Sequence, residues 1–170
     1  FFSLLGVPVI IFDIADRLLP REDAETAALA AKTLLHRGVT FHSNTRVLGA
    51  AKSGRQIRLT YQTKSEPRKT VRVEKLLIAS GRAPNIESLC LENAGVKRNA
   101  MNGVTIDSAM RIKGQSIFFA GDVTGLPAYT HTAHHEGTIA GKNAALLAQG
   151  KMKFASVDLA VVPRVTFVAP

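Results

Sequence analysis

Cysteine occurs once in this chain, tryptophan not at all and tyrosine only twice. The lone Cys90 excludes an internal disulfide framework and any redox pair of cysteines close in sequence, and it fits a reducing compartment, the cytoplasm. Flanked by Leu89 and Leu91 in a helical setting, it reads as a small buried hydrophobe. Acidic residues are scarce as well: 13 Asp and Glu stand against 22 Lys and Arg, a formal net charge of +9. That balance invites a nucleic-acid partner. The basic residues are scattered, however, and aromatics make up only 6% of the chain, so a basic stripe with stacking side chains is missing. A solvated basic surface is the better reading, and a nucleic-acid-binding module is an alternative resting on charge alone. Long apolar runs are missing too, each being broken by Asp, Arg or Pro well short of a membrane span, so neither a transmembrane helix nor a membrane partner is expected. Phe1 to Leu5 lacks the basic leader and small-residue cleavage site of a signal peptide and reads as the last turn of a helix closed by Gly6.

What remains is a composition ordinary for a globular protein, 46% hydrophobic and 21% charged over 170 residues, enough for one or two domains. The chain is organised around the stretch from Ile117 to Gly141. Ile117 to Ala120 is a short apolar run with the look of a strand buried on both faces, and Gly121 lets the backbone turn sharply at its end. Asp122 is then displayed at a carboxyl edge, where open α/β sheets bind nucleotide cofactors and where a fixed carboxylate can accept hydrogen bonds from sugar-like hydroxyls. A helix starting at about Thr130 would aim free backbone N–H groups and a positive dipole end at the same ligand. On its own, Gly-Asp after an apolar run also suits an ordinary strand-to-turn junction.

A second strand-and-glycine unit lies upstream, Leu76 to Ser80 followed by Gly81-Arg82-Ala83-Pro84-Asn85. In this order and spacing the two units resemble the FAD-dependent pyridine nucleotide-disulfide oxidoreductases, the family of dihydrolipoamide dehydrogenase and mercuric reductase, and the resemblance covers nearly the whole chain. It implies an α/β, Rossmann-like fold of three-layer FAD- and NAD(P)-binding domains with a small antiparallel β-meander, truncated at both ends. Residues 1–82 would be an NAD(P)-binding domain lacking its first strand and glycine turn. Residues 83–150 would close an FAD-binding domain, and residues 151–170 would open an interface domain used for dimerisation. The resemblance also implies a homodimeric enzyme passing electrons between NAD(P)H, FAD and a disulfide-type or other small-molecule substrate. Asp122 would hold FAD, and Ala128, Tyr129, Thr130 and His131 fall on the run whose backbone contacts the flavin ring. The backbone of Val47 would pack near the adenine of NAD. The family's catalytic His-Glu pair would lie beyond Pro170, so the fragment alone is expected to be inactive.

Along the chain, Gly6 to Phe12 is rich in Val and Ile, as a covered parallel strand would be, and ends on Asp13. Asp13 either hydrogen-bonds the adenosine ribose of NAD, standing where NAD-dependent family members usually carry Glu, or only opens the loop through Arg17. NADP remains possible. Gly6 is the only glycine before Asp13, whereas the dinucleotide fingerprint needs a glycine-rich turn roughly 20 residues upstream, so the chain reads as starting inside a Rossmann unit. Arg21 to Gly38 carries a helical apolar face, and Val39 to Phe41 and Arg46 to Ala50 read as short strands around a Ser43-Asn44 turn. Gln56 to Thr63 alternates like a half-exposed strand, and Thr70 to Val73 can pair back on it. Leu76 to Ser80 reads as the strand returning to the main sheet. Gly81 sits where a backbone must approach the nucleotide closely, and Arg82 is either an anion clamp or a strut between domains. Ile86 to Ala94 reads as a short helix capped by Gly95, and Val161 to Phe167 as a strand, followed by Val168-Ala169-Pro170 where relatives often carry a different run.

The rival with most support is a metal site. His131 and His135 are four apart, share a helical face and adjoin Glu136. Cysteine and carboxylate ligands are not arranged around them, and the flavin reading accounts for the preceding Gly-Asp as well.

Overall fold

The computed structural model describes residues 1–167. The chain divides into two units, Phe1–Ala79 and Ser80–Thr166.

In the first unit, a 3-10 turn over Phe2–Leu5 is closed by Gly6 at φ 75, a left-handed conformation natural to glycine. Strand β1 (Ile10–Phe12) follows, then helix α1 (Ala24–His36), then strand β2 (Thr40–His42) lying parallel to β1 with Ile10 opposite Thr40 and Phe12 opposite His42. Helix α1 starts where Asp23 accepts hydrogen bonds from the N–H groups of Glu25 and Thr26, and it stops before Gly38. Strand β1 is shorter than the Gly6 to Phe12 run expected of it. Pro8 has no N–H to donate, and β2 offers partners only to the last three residues. Strands β3 (Thr45–Ser53), β4 (Gln56–Thr63) and β5 (Lys69–Val73) make the expected antiparallel meander, in the order β3-β4-β5. The register of β3 on β4 shifts between Val47 and Gly49, a bulge that slips Leu48 out of the ladder. Alternation on β4 buries Leu59 and Tyr61, and the Tyr61 ring packs on Phe12 and His42 from the parallel pair, joining sheet to meander.

The second unit is built mostly from turns around one apolar core of Ile86, Leu91, Val96, Val104 and Ile112, with Ile117, Phe119 and Val123 packed against it. Its one long element is helix α2 (Thr130–Ala148), starting where expected. Asn143 on α2 is fully buried; its amide donates to the carbonyls of Ala109 and Ala155 and accepts from the Ala155 N–H, so one side chain ties two loops to the helix.

Several expected elements are corrected. Ile86 to Ala94 is not one helix but two 3-10 turns, Glu87–Leu89 and Leu91–Ala94, divided at Cys90 with φ 45, which breaks the continuity of helical bonding. Cys90 is exposed at that junction rather than buried. Ile117 to Ala120 is extended but forms no strand ladder: it folds back on Met110–Ile112 through a single bridge, Arg111 to Phe118, and its residues are half-buried. Leu76 to Ser80 is unpaired, leaving Leu77 73% and Ile78 78% exposed. No strand forms within the described part of Val161 to Phe167, and Val168-Ala169-Pro170 lies outside the described residues. Apolar composition marks these runs as suited to a sheet, but a strand exists only where a neighbour supplies its ladder.

Candidate functional site

The tightest cluster of expected site residues is in the second unit, at the turn before α2. Gly121 adopts φ 81 and ψ −157, which side-chain-bearing residues avoid, and a Cβ there would sit 3.3 Å from that of Ala133. A 3-10 turn over Asp122–Thr124 follows. Thr124 is buried, its hydroxyl donating to the Gly121 carbonyl at 2.9 Å, and Asn99 donates to the Thr124 carbonyl at 2.8 Å. Gly103 packs so closely under this turn that a Cβ on it would fall 2.5 Å from the Gly125 nitrogen. On the other side the Gly121 N–H donates to Glu136 Oε2 at 2.6 Å. The turn is thus held at both its N–H and its carbonyl.

Asp122 is presented outward from this frame with its side chain 48% exposed, and its Oδ2 lies 3.3 Å from Nη2 of the exposed Arg82. Between two solvated groups such a pair contributes little, so the carboxylate keeps its capacity to accept from another donor. Arg82 therefore meets Asp122 within its own unit. Helix α2 begins eight residues on with no side chain capping its N-terminus, because Tyr129 at that position carries no suitable acceptor, and its first backbone bond runs from Ala133 N–H to the Tyr129 carbonyl. The N–H groups of the first turn are therefore left without a side-chain cap at the positive dipole end. Thr132, in that turn, is 3% exposed, and its hydroxyl is the one buried side-chain group among the described residues without a hydrogen-bond partner. Ala128, Thr130 and His131 are exposed, and the His131 ring stacks on that of Tyr129 at 5.4 Å and 7°. The arrangement joins one acceptor carboxylate to several unsatisfied donors, which suits a ligand carrying both hydroxyls and an electron-rich edge.

In the sequence Glu136 stands out only as the neighbour of His135 in the disfavoured metal alternative. It is 1% exposed, and burial pushes its carboxyl above the usual carboxylate value, partly offset by the Gly121 N–H and by His135. Rather than joining His131 and His135 at a metal, it turns to the Gly121 backbone. Among the described residues no three His, Cys, Asp or Glu side chains are grouped to hold a metal ion. A signal was present: Thr132, Glu136 and Asn143 lie on the buried face of α2, polar residues at positions where a helix ordinarily carries apolar ones.

The expected NAD residues fall in both units. Asp13, at the carboxyl end of β1, uses Oδ1 to accept the Ala15 N–H at 2.9 Å, so it does close its own loop. Its backbone is fixed between His42 and Thr45, and its second carboxylate oxygen takes no part in that turn. Arg17 is drawn away onto the carbonyls of Pro20 and Glu22. Val47 is 42% exposed and stands at the bulge of β3. Gly81, with φ 136, belongs to the second unit beside Arg82.

Comparison with known proteins bears on this arrangement. A family model described as pyridine nucleotide-disulphide oxidoreductase matches residues 1–137. A mercuric reductase of Lysinibacillus sphaericus is 33% identical over 169 residues, 99% of this chain and 30% of that protein. A dihydrolipoyl dehydrogenase of Mycobacterium bovis is 34% identical over 165 residues, 97% of this chain and 34% of that protein. The crystal structure of LpdA (Rv3303c) from Mycobacterium tuberculosis superposes with a TM-score of 0.77 at 30% identity, covering 93% of this chain and 32% of that one. The chain spans about a third of the length of the curated relatives it matches, and the α/β, Rossmann-like class with its antiparallel meander is the fold observed.

Proposed function

This chain belongs to the pyridine nucleotide-disulphide oxidoreductase family, and we propose that it supplies NAD-binding and flavin-binding parts of an FAD-dependent oxidoreductase that passes electrons between NAD(P)H, FAD and a disulfide-type substrate. Residues 1–82 are assigned to an NAD(P)-binding domain, 83–150 to the closing part of an FAD-binding domain and 151–170 to the start of an interface domain. The whole enzyme would be a cytoplasmic homodimer. No helix among the described residues is long and apolar enough to cross a membrane.

The observation that carries this reading is the pairing of Asp122, displayed on a braced turn, with the uncapped start of α2 and the orphan hydroxyl of Thr132. FAD fits such a donor set, since it offers ribityl hydroxyls to a carboxylate and ring carbonyl oxygens to N–H groups. Bound FAD would supply the hydride and electron transfer chemistry. The chain's own residues would bind and orient: Asp122 accepts from a sugar-like hydroxyl, the N–H groups of residues 130–132 donate, and Ala128 to His131 line the approach. Asp13 would accept from the ribose of NAD, with Val47 near its adenine.

Removing the Asp122 carboxylate tests the reading. In the intact enzyme, Asp122→Ala should weaken FAD binding by roughly 1.5–3 kcal/mol, the worth of a charge-assisted hydrogen bond, and lower the flavin content of purified protein. Full flavin occupancy with unchanged affinity would reject the assignment.

A further inference from the structure

Flavin binding at this turn needs the acceptor and the donors kept in register. Asp122 sits on a turn and the N–H donors sit on α2, and the two are separate pieces of backbone. A hydrogen bond connects them directly, from the Gly121 N–H to Glu136 Oε2 at 2.6 Å across 15 residues. Among the described residues Glu136 alone takes that N–H; Thr124 and Asn99 brace the turn only from its carbonyl side. Gly121 lies immediately before Asp122, so a rotation at its φ of 81 swings the carboxylate directly. Glu136 is two helical turns from the open end of α2 and is itself fully enclosed, so its carboxylate has little freedom to follow a moving turn.

We propose that Glu136 is a positioning residue for flavin binding: its buried carboxylate grips the Gly121 N–H and so locks Asp122 to the helix that carries the donors. The proposal rests on the reading of Asp122 as a flavin ligand. Reach matters here more than charge, because a neutral amide oxygen at the same place still accepts the N–H, whereas a carboxylate shortened by one methylene does not arrive.

The test uses the intact flavoprotein, stripped of FAD and titrated back with it, carrying Asp122→Ala, Glu136→Gln, Glu136→Asp, and Asp122→Ala combined with Glu136→Asp. Glu136→Gln should bind FAD within about threefold of the parent and Glu136→Asp about tenfold more weakly, the loss expected for one hydrogen bond. In the Asp122→Ala background the Asp substitution should cost nothing further, since the group it positions is gone. A merely structural role would lower the melting temperature of the apoprotein and give losses that add across the pair. Additive losses, or a tight Asp variant beside a weak Gln variant, would overturn the positioning role while leaving Asp122 as a ligand. Asp122→Ala binding FAD like the parent would overturn both.

Discussion

Asp122, Asp13 and Glu136 are three carboxylates with three different environments, and their environments decide what each can do. Asp122 is presented to solvent beside Arg82, Asp13 is half-buried and closes its own loop, and Glu136 is enclosed. For Asp13, taken as the proposed ribose ligand, the consequence is coenzyme choice. A carboxylate attracts a ribose hydroxyl and repels a 2′-phosphate, and Arg17, four residues on in the same loop, is committed to the carbonyls of Pro20 and Glu22. The intact enzyme should therefore favour NADH, and Asp13→Ala should shift the ratio of kcat/KM for NADH over NADPH by roughly tenfold toward NADPH. Steady-state kinetics showing a parent that prefers NADPH, or an unchanged ratio in the variant, would refute this. For Glu136 the consequence is a pH dependence of stability. Burial raises its folded-state value above the ordinary one, so the native state binds the proton more tightly than the unfolded chain does. Its contribution is fully present below the ordinary carboxylate value and is lost as pH rises through the raised one. Urea unfolding of the parent should therefore weaken over that window relative to Glu136→Gln, which has no proton to lose, and a flat difference between the two would contradict the assignment. The display of Asp122 is legible in the sequence because a glycine set between an apolar run and an acid marks the sharp end of an extended segment and leaves the carboxylate outward. For Glu136 only the burial is legible, as a polar residue on the inward face of α2; its partner is a backbone N–H 15 residues away that no side-chain spacing announces.

At the scale of elements, legibility follows how much of each signal is local. Helix α1 carries its own cap in Asp23 and its own stop in Gly38, and the meander carries its alternation along β4, so the expected and observed bounds lie close together. Ile117 to Ala120 and Leu76 to Ser80 read as strands from apolar composition, which reports what a segment would tolerate around it, not what lies beside it. The division of Ile86 to Ala94 at Cys90 has no signal at all, since a cysteine rarely takes a positive φ. In the second unit, where regular elements are few, side chains replace ladders as the means of holding loops in place. Asn143 is the clearest case, with three hydrogen bonds from full burial on α2 to the backbones of Ala109 and Ala155. Asn143→Ala removes all three and strands two carbonyls and an N–H, so it should destabilise this unit by about 3 kcal/mol. A urea midpoint that barely moves would show that water replaces the side chain and that the loops do not depend on it.

The whole molecule leaves apolar side chains in places where a finished surface would not. Leu77 and Ile78 are 73% and 78% exposed on consecutive residues, and the backbone around them pairs with nothing among the described residues, which makes the segment a template for another strand. Leu29 and Leu35 on α1 and Val161, Val165 and Phe167 toward the chain's end are also more than half exposed. Net charge opposes association, since +9 on 170 residues repels like copies, but that repulsion is screened over about 8 Å at physiological salt while apolar contact is not. The 170-residue chain made alone should therefore self-associate as salt is raised and should bind a hydrophobic dye such as ANS. Cys90 is its one cysteine, so it should also show no disulfide reductase activity with NADH, having no second thiol with which to form an internal dithiol. Ile78→Lys places a charge on the unpaired segment without touching the turn at Asp122, and should reduce both the dye signal and the association measured by light scattering. A parent chain that stays monomeric in high salt with no dye binding would show that these side chains are covered in solution. A parent that does associate while Ile78→Lys associates equally would move the sticky surface away from Leu76 to Ser80, to the exposed face of α1 or the segment after Val161.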